Sequence, residues 1–98
     1  MKLRLIITEQ IAEKLARKHN IERSEVVQCF ANKTGRLLDD DREDHRTDPP
    51  THWFISETDA GRELKIIFVR ETDAIFLKSA FEPNEEERRI YNKYGLAS

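Results

Sequence analysis

The stretch from residue 52 to residue 80 constrains the fold most, because it holds three apolar runs separated by short polar connections. The runs cover residues 52–57, 63–70 and 74–80, and each is rich in β-branched and aromatic side chains. The two connections between them are of hairpin length. Three antiparallel strands in a meander are therefore predicted.

The sequence before this stretch begins with a strand and continues as two helices. Residues 2–7 alternate basic and apolar side chains before two isoleucines, which indicates a strand with one buried face. Thr8 is suited to cap a helix over 9–18, and a second helix is predicted over 23–31. Because only a few residues join these helices, we expect them to form a hairpin.

The remaining elements complete the predicted topology. A short strand over 36–39 precedes an acidic loop, and Pro83 with three glutamates after it predicts a last helix ending near Tyr94. The class is therefore α+β, with a small antiparallel sheet of about four to five strands between an N-terminal helical hairpin and a C-terminal helix. The chain of 98 residues allows a single domain, 1–98.

Composition excludes several classes of protein. Hydrophobic residues make up 38% and charged residues 37%, a balance too apolar for a disordered chain and too charged for a membrane protein. Cys29 is the single cysteine, so an intramolecular disulfide and a multi-cysteine zinc site are excluded, and we expect a buried, unreactive thiol. No two glycines are close enough for a phosphate-binding loop, which excludes nucleotide-dependent kinases and dinucleotide enzymes. Without a signal-peptide pattern, a cytoplasmic location is expected.

The charge is segregated along the chain although the net charge is only −2. Residues 1–36 carry eight Lys and Arg against four acids, whereas residues 37–59 carry two against eight. The basic part could meet a polyanion, and the acidic part could meet a basic partner or shield the basic part. Solvated surface without a partner is the alternative interpretation of both blocks.

The loop before the meander concentrates side chains for proton transfer and anion binding. His45 can act as a general acid or base, and Arg42 and Arg46 can hold a phosphate. The alternative is a loop whose charges pair with one another in solvent. His19, His45 and His52 show no metal-ligand spacing, so neither a metal site nor a cofactor is expected.

A second group of candidates comes from the strands and helices. Lys65 and Lys78 are expected near the same end of a hairpin with Arg88 in the helix behind them, where they could neutralise a phosphate. Outward-facing strand residues are the ordinary alternative. Trp53 could stack on a base or belong to the core, and His19 could reach a pocket from a helix end or play a structural part.

Two short motifs resemble those of the BrnT-like toxins of bacterial type II toxin–antitoxin systems. His19-Asn20-Ile21, which follows a basic helix end, is similar to that family's "Lys-His-Gly-Val" junction. Ser79-Ala80, followed by Glu87-Arg88-Arg89-Ile90-Tyr91, resembles its "Ser-Ala-Arg … Glu-Arg-Arg-x-Tyr". The order of elements matches as well, so the resemblance extends over most of the chain.

The resemblance implies a RelE-like fold and metal-independent RNA cleavage. The implied partners are RNA or a ribosome and a cognate antitoxin. Whether the protein forms a homodimer is left open. A base would be needed, for which His45 is the first choice and His19 the second. Lys65, Lys78, Arg42 and Arg46 would supply positive charge at the phosphate, and Arg88 would help to bind the substrate. Tyr91 or Trp53 would hold a nucleobase. Two departures are Phe81, where the family has an arginine, and a longer, more acidic central loop.

Two alternatives to a ribonuclease remain. A non-catalytic domain on the same scaffold could bind a protein through residues 37–59 or the helix over 83–95, which Phe81 and the negative net charge favour. The charge-rich loop ending in Pro49-Pro50 also resembles small bacterial proteins labelled ADP-ribosyl-(dinitrogen reductase) hydrolase. Genuine hydrolases of that name are much longer, all-helical and bind paired magnesium ions, so this chain is too short for that activity.

Overall fold

The computed structural model describes residues 4–39 and 51–96, which form five strands and three helices. In chain order the elements are β1 (Arg4–Ile6), α1 (Glu9–Lys14), a π-helical segment (Leu15–His19), α2 (Arg23–Ala31), β2 (Leu38–Asp39), β3 (Thr51–Glu57), β4 (Glu63–Arg70), β5 (Ala74–Phe81) and α3 (Glu85–Tyr94). In this described part of the chain, no helix is long and apolar enough to cross a membrane.

The five strands form one mixed sheet in the order β1-β5-β4-β3-β2. The pairs β2–β3, β3–β4 and β4–β5 are antiparallel, which confirms the predicted meander, and the α+β class is confirmed. β1 instead lies parallel to β5, with Leu5 opposite Ile75, so the sheet is not wholly antiparallel as expected. Parallel pairing requires a long crossover, and the chain between β1 and β5 supplies it with its two N-terminal helices and three other strands.

The two faces of the sheet differ in burial. Side chains alternate between faces along a strand, and cross-strand partners share a face. On one side, here called the covered face, the residues are buried: Phe54, Ser56, Leu64, Ile66, Phe68, Leu77 and Ala80. On the other, here called the half-exposed face, several positions keep part of their surface: Trp53, Lys65, Ile67, Phe76 and Phe81.

The N-terminal helices begin and end where their capping residues predict. The Thr8 hydroxyl accepts a hydrogen bond from the N–H of Ile11, and Glu22 forms a reciprocal capping box with Glu25. Asn20 ends the π-helical segment in the left-handed conformation, with a φ of 53°.

The predicted packing of these helices into a hairpin is not confirmed. The ring of Phe30 in α2 packs edge-on against Phe54 and Phe68, with ring centroids 5.0 and 5.5 Å away. The π-helical segment contacts β5 instead. The sheet offers a larger apolar surface than a short helix does, so both helical segments bury their apolar sides on the covered face.

α3 lies on the half-exposed side of the sheet. Asn84 and Glu87 form its capping box, and the three glutamates predicted for its first turn are present there. Tyr91 is the buried residue of this helix, and its ring centroid lies 5.7 Å from that of Trp53. α3 therefore closes part of the face that the other helices leave uncovered.

Candidate functional site

Four of the predicted site residues lie together where α3 meets the sheet: Lys65, Trp53, Tyr91 and Arg88. The Lys65 ammonium is 4.4 Å from the centre of the Trp53 ring, a cation–π distance. Register explains this contact, because Ile67 is opposite Trp53 and Lys65 is the next residue of β4 on the same face.

Both cations in this group already have carboxylate partners. The Nζ atom of Lys65 is 2.6 Å from Oε2 of Glu87, and only 15% of the Lys65 side chain is exposed. The guanidinium of Arg88 hydrogen-bonds to Glu63. These two ion pairs join α3 to β4, so the charge of each cation is balanced within the fold.

Lys78 occupies a different position from the one predicted. Lys65 is opposite Phe81, whereas the register shifts between Ile67 and Phe68 leave Lys78 as an extra residue in a β-bulge. Its side chain is exposed and has no ion pair among the described residues. Lys78 is thus the predicted strand cation that solvent reaches most directly.

His19 ends the π-helical segment and has packing and backbone contacts. Its ring centroid is 5.9 Å from that of Phe81, and its carbonyl accepts a hydrogen bond of 2.8 Å from Arg62. The same guanidinium also donates to the carbonyl of Asn20 at 2.7 Å. These contacts agree with a structural part for His19.

The loop residues predicted to be catalytic, His45, Arg42 and Arg46, lie outside the described residues. The two residues that flank the loop form a pair: Asp39 is opposite His52 in the ladder of β2 and β3. Nδ1 of His52 is 2.7 Å from Oδ1 of Asp39. The predictions from sequence did not include this pair, although the two strand segments on either side of the loop were a signal that its ends meet.

The pair has the arrangement of a histidine oriented by a carboxylate. In the neutral tautomer with its proton on Nδ1, His52 donates to Asp39, and Nε2 keeps a lone pair that can accept a hydrogen bond. The His52 ring also lies 5.7 Å from the Phe68 ring, so packing restricts it from a second side. The His52 side chain is 21% exposed and that of Asp39 is 69% exposed, so the pair lies at the surface.

A polar cleft of about 680 Å³ opens at the other end of β3. It lies between the chain that follows α2, the end of β3 and α3. The residues that line it are Asn32, Thr34, Ile55, Ser56, Glu57, Thr58, Asp59, Glu63, Arg88, Tyr91, Asn92 and Leu96. Burial raises the pKa of the Tyr91 hydroxyl, against a smaller opposing effect of its hydrogen bond with the backbone of Ile55.

Cys29 is a buried residue of α2, as expected. Burial, together with a smaller effect of the nearby Glu25 carboxylate, raises the pKa of its thiol from 9.0 to about 12. Since the thiolate is the reactive form, this residue is unsuited to nucleophilic catalysis. In residues 4–39 and 51–96, no three His, Cys, Asp or Glu side chains converge as metal ligands would.

Comparison with known proteins adds no relative to these observations. Neither the protein-family models nor the curated protein sequences contain a match to this chain.

Proposed function

We propose that this protein is a metal-independent ribonuclease of the toxin type. The observation that carries the proposal is the His52–Asp39 pair, whose two residues lie close to the described ends of the chain on either side of residues 40–50. The sequence of that segment contains His45, Arg42 and Arg46. A histidine oriented by a carboxylate, beside a loop with a second histidine and two arginines, supplies the groups that RNA cleavage needs. The resemblance of the sequence to BrnT-like toxins supports the same activity.

The proposed reaction is an attack by a ribose 2′-hydroxyl on the adjacent phosphorus atom. Nε2 of His52 accepts the proton of that hydroxyl, and the oxygen then forms a bond to phosphorus. The bond from phosphorus to the 5′-oxygen breaks, and the leaving oxygen takes a proton from an acid, for which His45 is the candidate. The products are a 2′,3′-cyclic phosphate and a free 5′-hydroxyl.

The other predicted residues divide into two roles. Arg42, Arg46 and Lys78 are proposed to neutralise the phosphate, because charge builds on its oxygens in the transition state. Lys65, Arg88, Tyr91 and Trp53 are proposed to hold α3 and the sheet in place, since the two cations are paired with carboxylates. A role for the exposed part of Trp53 in base stacking stays open, whereas His19 is proposed to be structural because of its contacts with Phe81 and Arg62.

The biological setting follows from the proposed activity. A ribonuclease toxin acts on RNA in the cytoplasm, free or on ribosomes, and a cognate antitoxin protein silences it. The acidic segment over 37–59 then screens the basic N-terminal third from non-specific RNA.

The test is inducible expression in a bacterial host, with growth and new RNA 5′ ends as readouts. We expect the unmodified protein to arrest growth and His52→Ala to lower cleavage by about 100-fold or more, the usual effect of losing a general base. Asp39→Asn is expected to lower cleavage less, because it disturbs only the tautomer and orientation. His19→Ala is the matched histidine control and should retain activity. Purified protein should cleave in the presence of a chelator.

Equal activity of His52→Ala and the unmodified protein would exclude His52 as the base, and His45→Ala then tests the loop histidine. Normal growth and an unchanged RNA profile, with folded protein present, would contradict the ribonuclease. The non-catalytic protein-binding domain would then be the better account.

A further inference from the structure

The outer edge of β3 is open where it passes through the polar cleft. Among the described residues, β2 pairs with β3 through Leu38 opposite Trp53 and Asp39 opposite His52. The following residues of β3, 54–57, therefore have no strand beside them on that edge among the described residues. An open edge presents backbone N–H and C=O groups that can pair with another chain.

Two of the backbone groups on this edge already have partners. The backbone of Ile55 faces the Tyr91 hydroxyl, and the carbonyl of Glu57 accepts a hydrogen bond of 2.9 Å from Nδ2 of Asn32. Alternate residues of a strand direct both backbone groups to the same edge. The C=O of Ile55 and the N–H of Glu57 therefore also face outward, and no partner for them is found in the described part of the chain.

These two groups lie on either side of Ser56. One residue of a parallel strand can pair with both groups. Its N–H donates to the Ile55 carbonyl, and its C=O accepts from the Glu57 N–H. Ser56 itself is 8% exposed, and its hydroxyl has no hydrogen-bond partner among the described residues. That hydroxyl belongs to the covered face, so the unused hydrogen-bonding capacity of the edge is the backbone pair of Ile55 C=O and Glu57 N–H.

The charge around the edge is negative. Glu57, Asp59 and Glu63 line the cleft, and Arg88, the one cation among the described residues that line it, is paired with Glu63. Among the described residues, neither Glu57 nor Asp59 forms an ion pair with a cation. This field repels the phosphates of RNA and attracts Lys and Arg side chains.

We propose that this cleft binds a short, extended, basic segment of a partner protein, which adds a strand beside Ser56 on the outer edge of β3. The backbone of Ile55 and Glu57 supplies the pairing, and the carboxylates of Glu57 and Asp59 select basic side chains. The site lies at the opposite end of β3 from the His52–Asp39 pair, so it does not depend on the proposed ribonuclease activity.

The test uses nuclear magnetic resonance of the ¹⁵N-labelled protein and a pool of acetylated peptides of about six residues with Lys or Arg at alternate positions. We expect amide shifts concentrated at residues 55–59 and 91–92, including the Glu57 N–H. A matching pool with N-methylated backbones cannot pair with the edge and should bind at least about 10-fold more weakly.

Variants separate pairing from general electrostatic attraction. Glu57→Gln, at an exposed position, is expected to weaken binding about 2- to 5-fold, the range for a surface ion pair. Glu71→Gln removes an exposed acid at the far end of β4 and should leave binding unchanged. The proposal is overturned by an absence of shifts, by equal binding of the N-methylated pool or of an acidic pool, or by a single-stranded RNA oligonucleotide that shifts these amides when the peptides do not.

Discussion

Tyr91 joins three separate parts of the chain through one side chain. Its hydroxyl donates a hydrogen bond of 2.8 Å to the carbonyl of Arg36 and faces the backbone of Ile55. The hydroxyl thus lies between the chain leading into β2 and the edge of β3. Gly35 and Gly95 make this possible, because a Cβ atom on either would collide with the Tyr91 ring or hydroxyl.

Removal of the Tyr91 hydroxyl should therefore destabilise the protein. Tyr91→Phe removes the part-buried hydrogen bond to the Arg36 carbonyl, and we expect the free energy of unfolding to fall by about 1 kcal/mol. Tyr94→Phe is the matched control, because Tyr94 is 56% exposed and should change stability little. Urea denaturation of both variants checks the prediction, and equal stabilities would contradict it.

The buried thiol of Cys29 predicts a loss of stability in alkali. Its pKa is raised to about 12 in the folded protein, so the unfolded chain releases this proton at lower pH than the folded one. The contribution of the protonated Cys29 thiol to the free energy of unfolding is complete below about pH 9 and is lost as the pH rises towards about 12.

The measurement is the free energy of unfolding at a series of pH values between these limits. Cys29→Ala should weaken the decline, while the raised pKa of Tyr91 leaves a remaining decline of the same sign. Identical slopes for the variant and the unmodified protein would show that the thiol does not contribute.

At the scale of elements, α3 depends on the contact between Lys65 and Glu87. Both carboxylate oxygens of Glu87 have partners, because Oε1 accepts from the Asn84 N–H at 2.9 Å within the capping box and Oε2 pairs with Lys65. The same carboxylate therefore begins the helix and fixes it to β4. This explains why Lys65, an apparent interruption of an apolar strand, stands at this position.

Lys65→Ala should weaken the attachment of α3. It leaves the Glu87 charge with 20% exposure and without its ammonium partner, and we expect a loss of about 2 kcal/mol in the free energy of unfolding. Arg89→Ala serves as the control, since the Arg89 side chain is 78% exposed and its loss should cost little. A double-mutant cycle with Glu87→Gln measures the coupling, and a coupling near zero would refute the role of the pair.

At the scale of the molecule, one hydrophobic cluster connects the N-terminal helices, the sheet and α3. It extends from Leu15 and Val26 through Phe54 and Phe68 to Tyr91. Since each element buries its apolar side in the same cluster, no described element has a separate core. Loss of any one of them exposes the apolar surface of the others.

We therefore expect a single cooperative unfolding transition. Trp53, the only tryptophan, lies against Tyr91 and Lys65, so its fluorescence reports on the contact of α3 with the sheet. The fluorescence and far-ultraviolet circular dichroism curves in urea should coincide. Separate midpoints would show that α3 detaches before the sheet unfolds.

Local patterns were sufficient to predict most elements. The strand over 63–70 and the helix over 23–31 have the predicted bounds, and Thr8, Asn20 and Asn84 stand at the ends of helical segments as capping preferences require. The candidate site was less predictable. Trp53, Lys65, Arg88 and Tyr91 are brought together as a group, but the partners of the two cations were not foreseen.

The sequence by itself determined the α+β class, the meander and the caps, because alternation, turn residues and capping act over a few neighbouring positions. Only the tertiary structure decided that β1 joins β5 in parallel, that Asp39 meets His52, and that Tyr91 lies between β2 and the edge of β3. These contacts join residues far apart in the chain or depend on register. The packing that buries the apolar surfaces of all elements at once selects these contacts. A pattern within a few neighbouring residues does not contain that information.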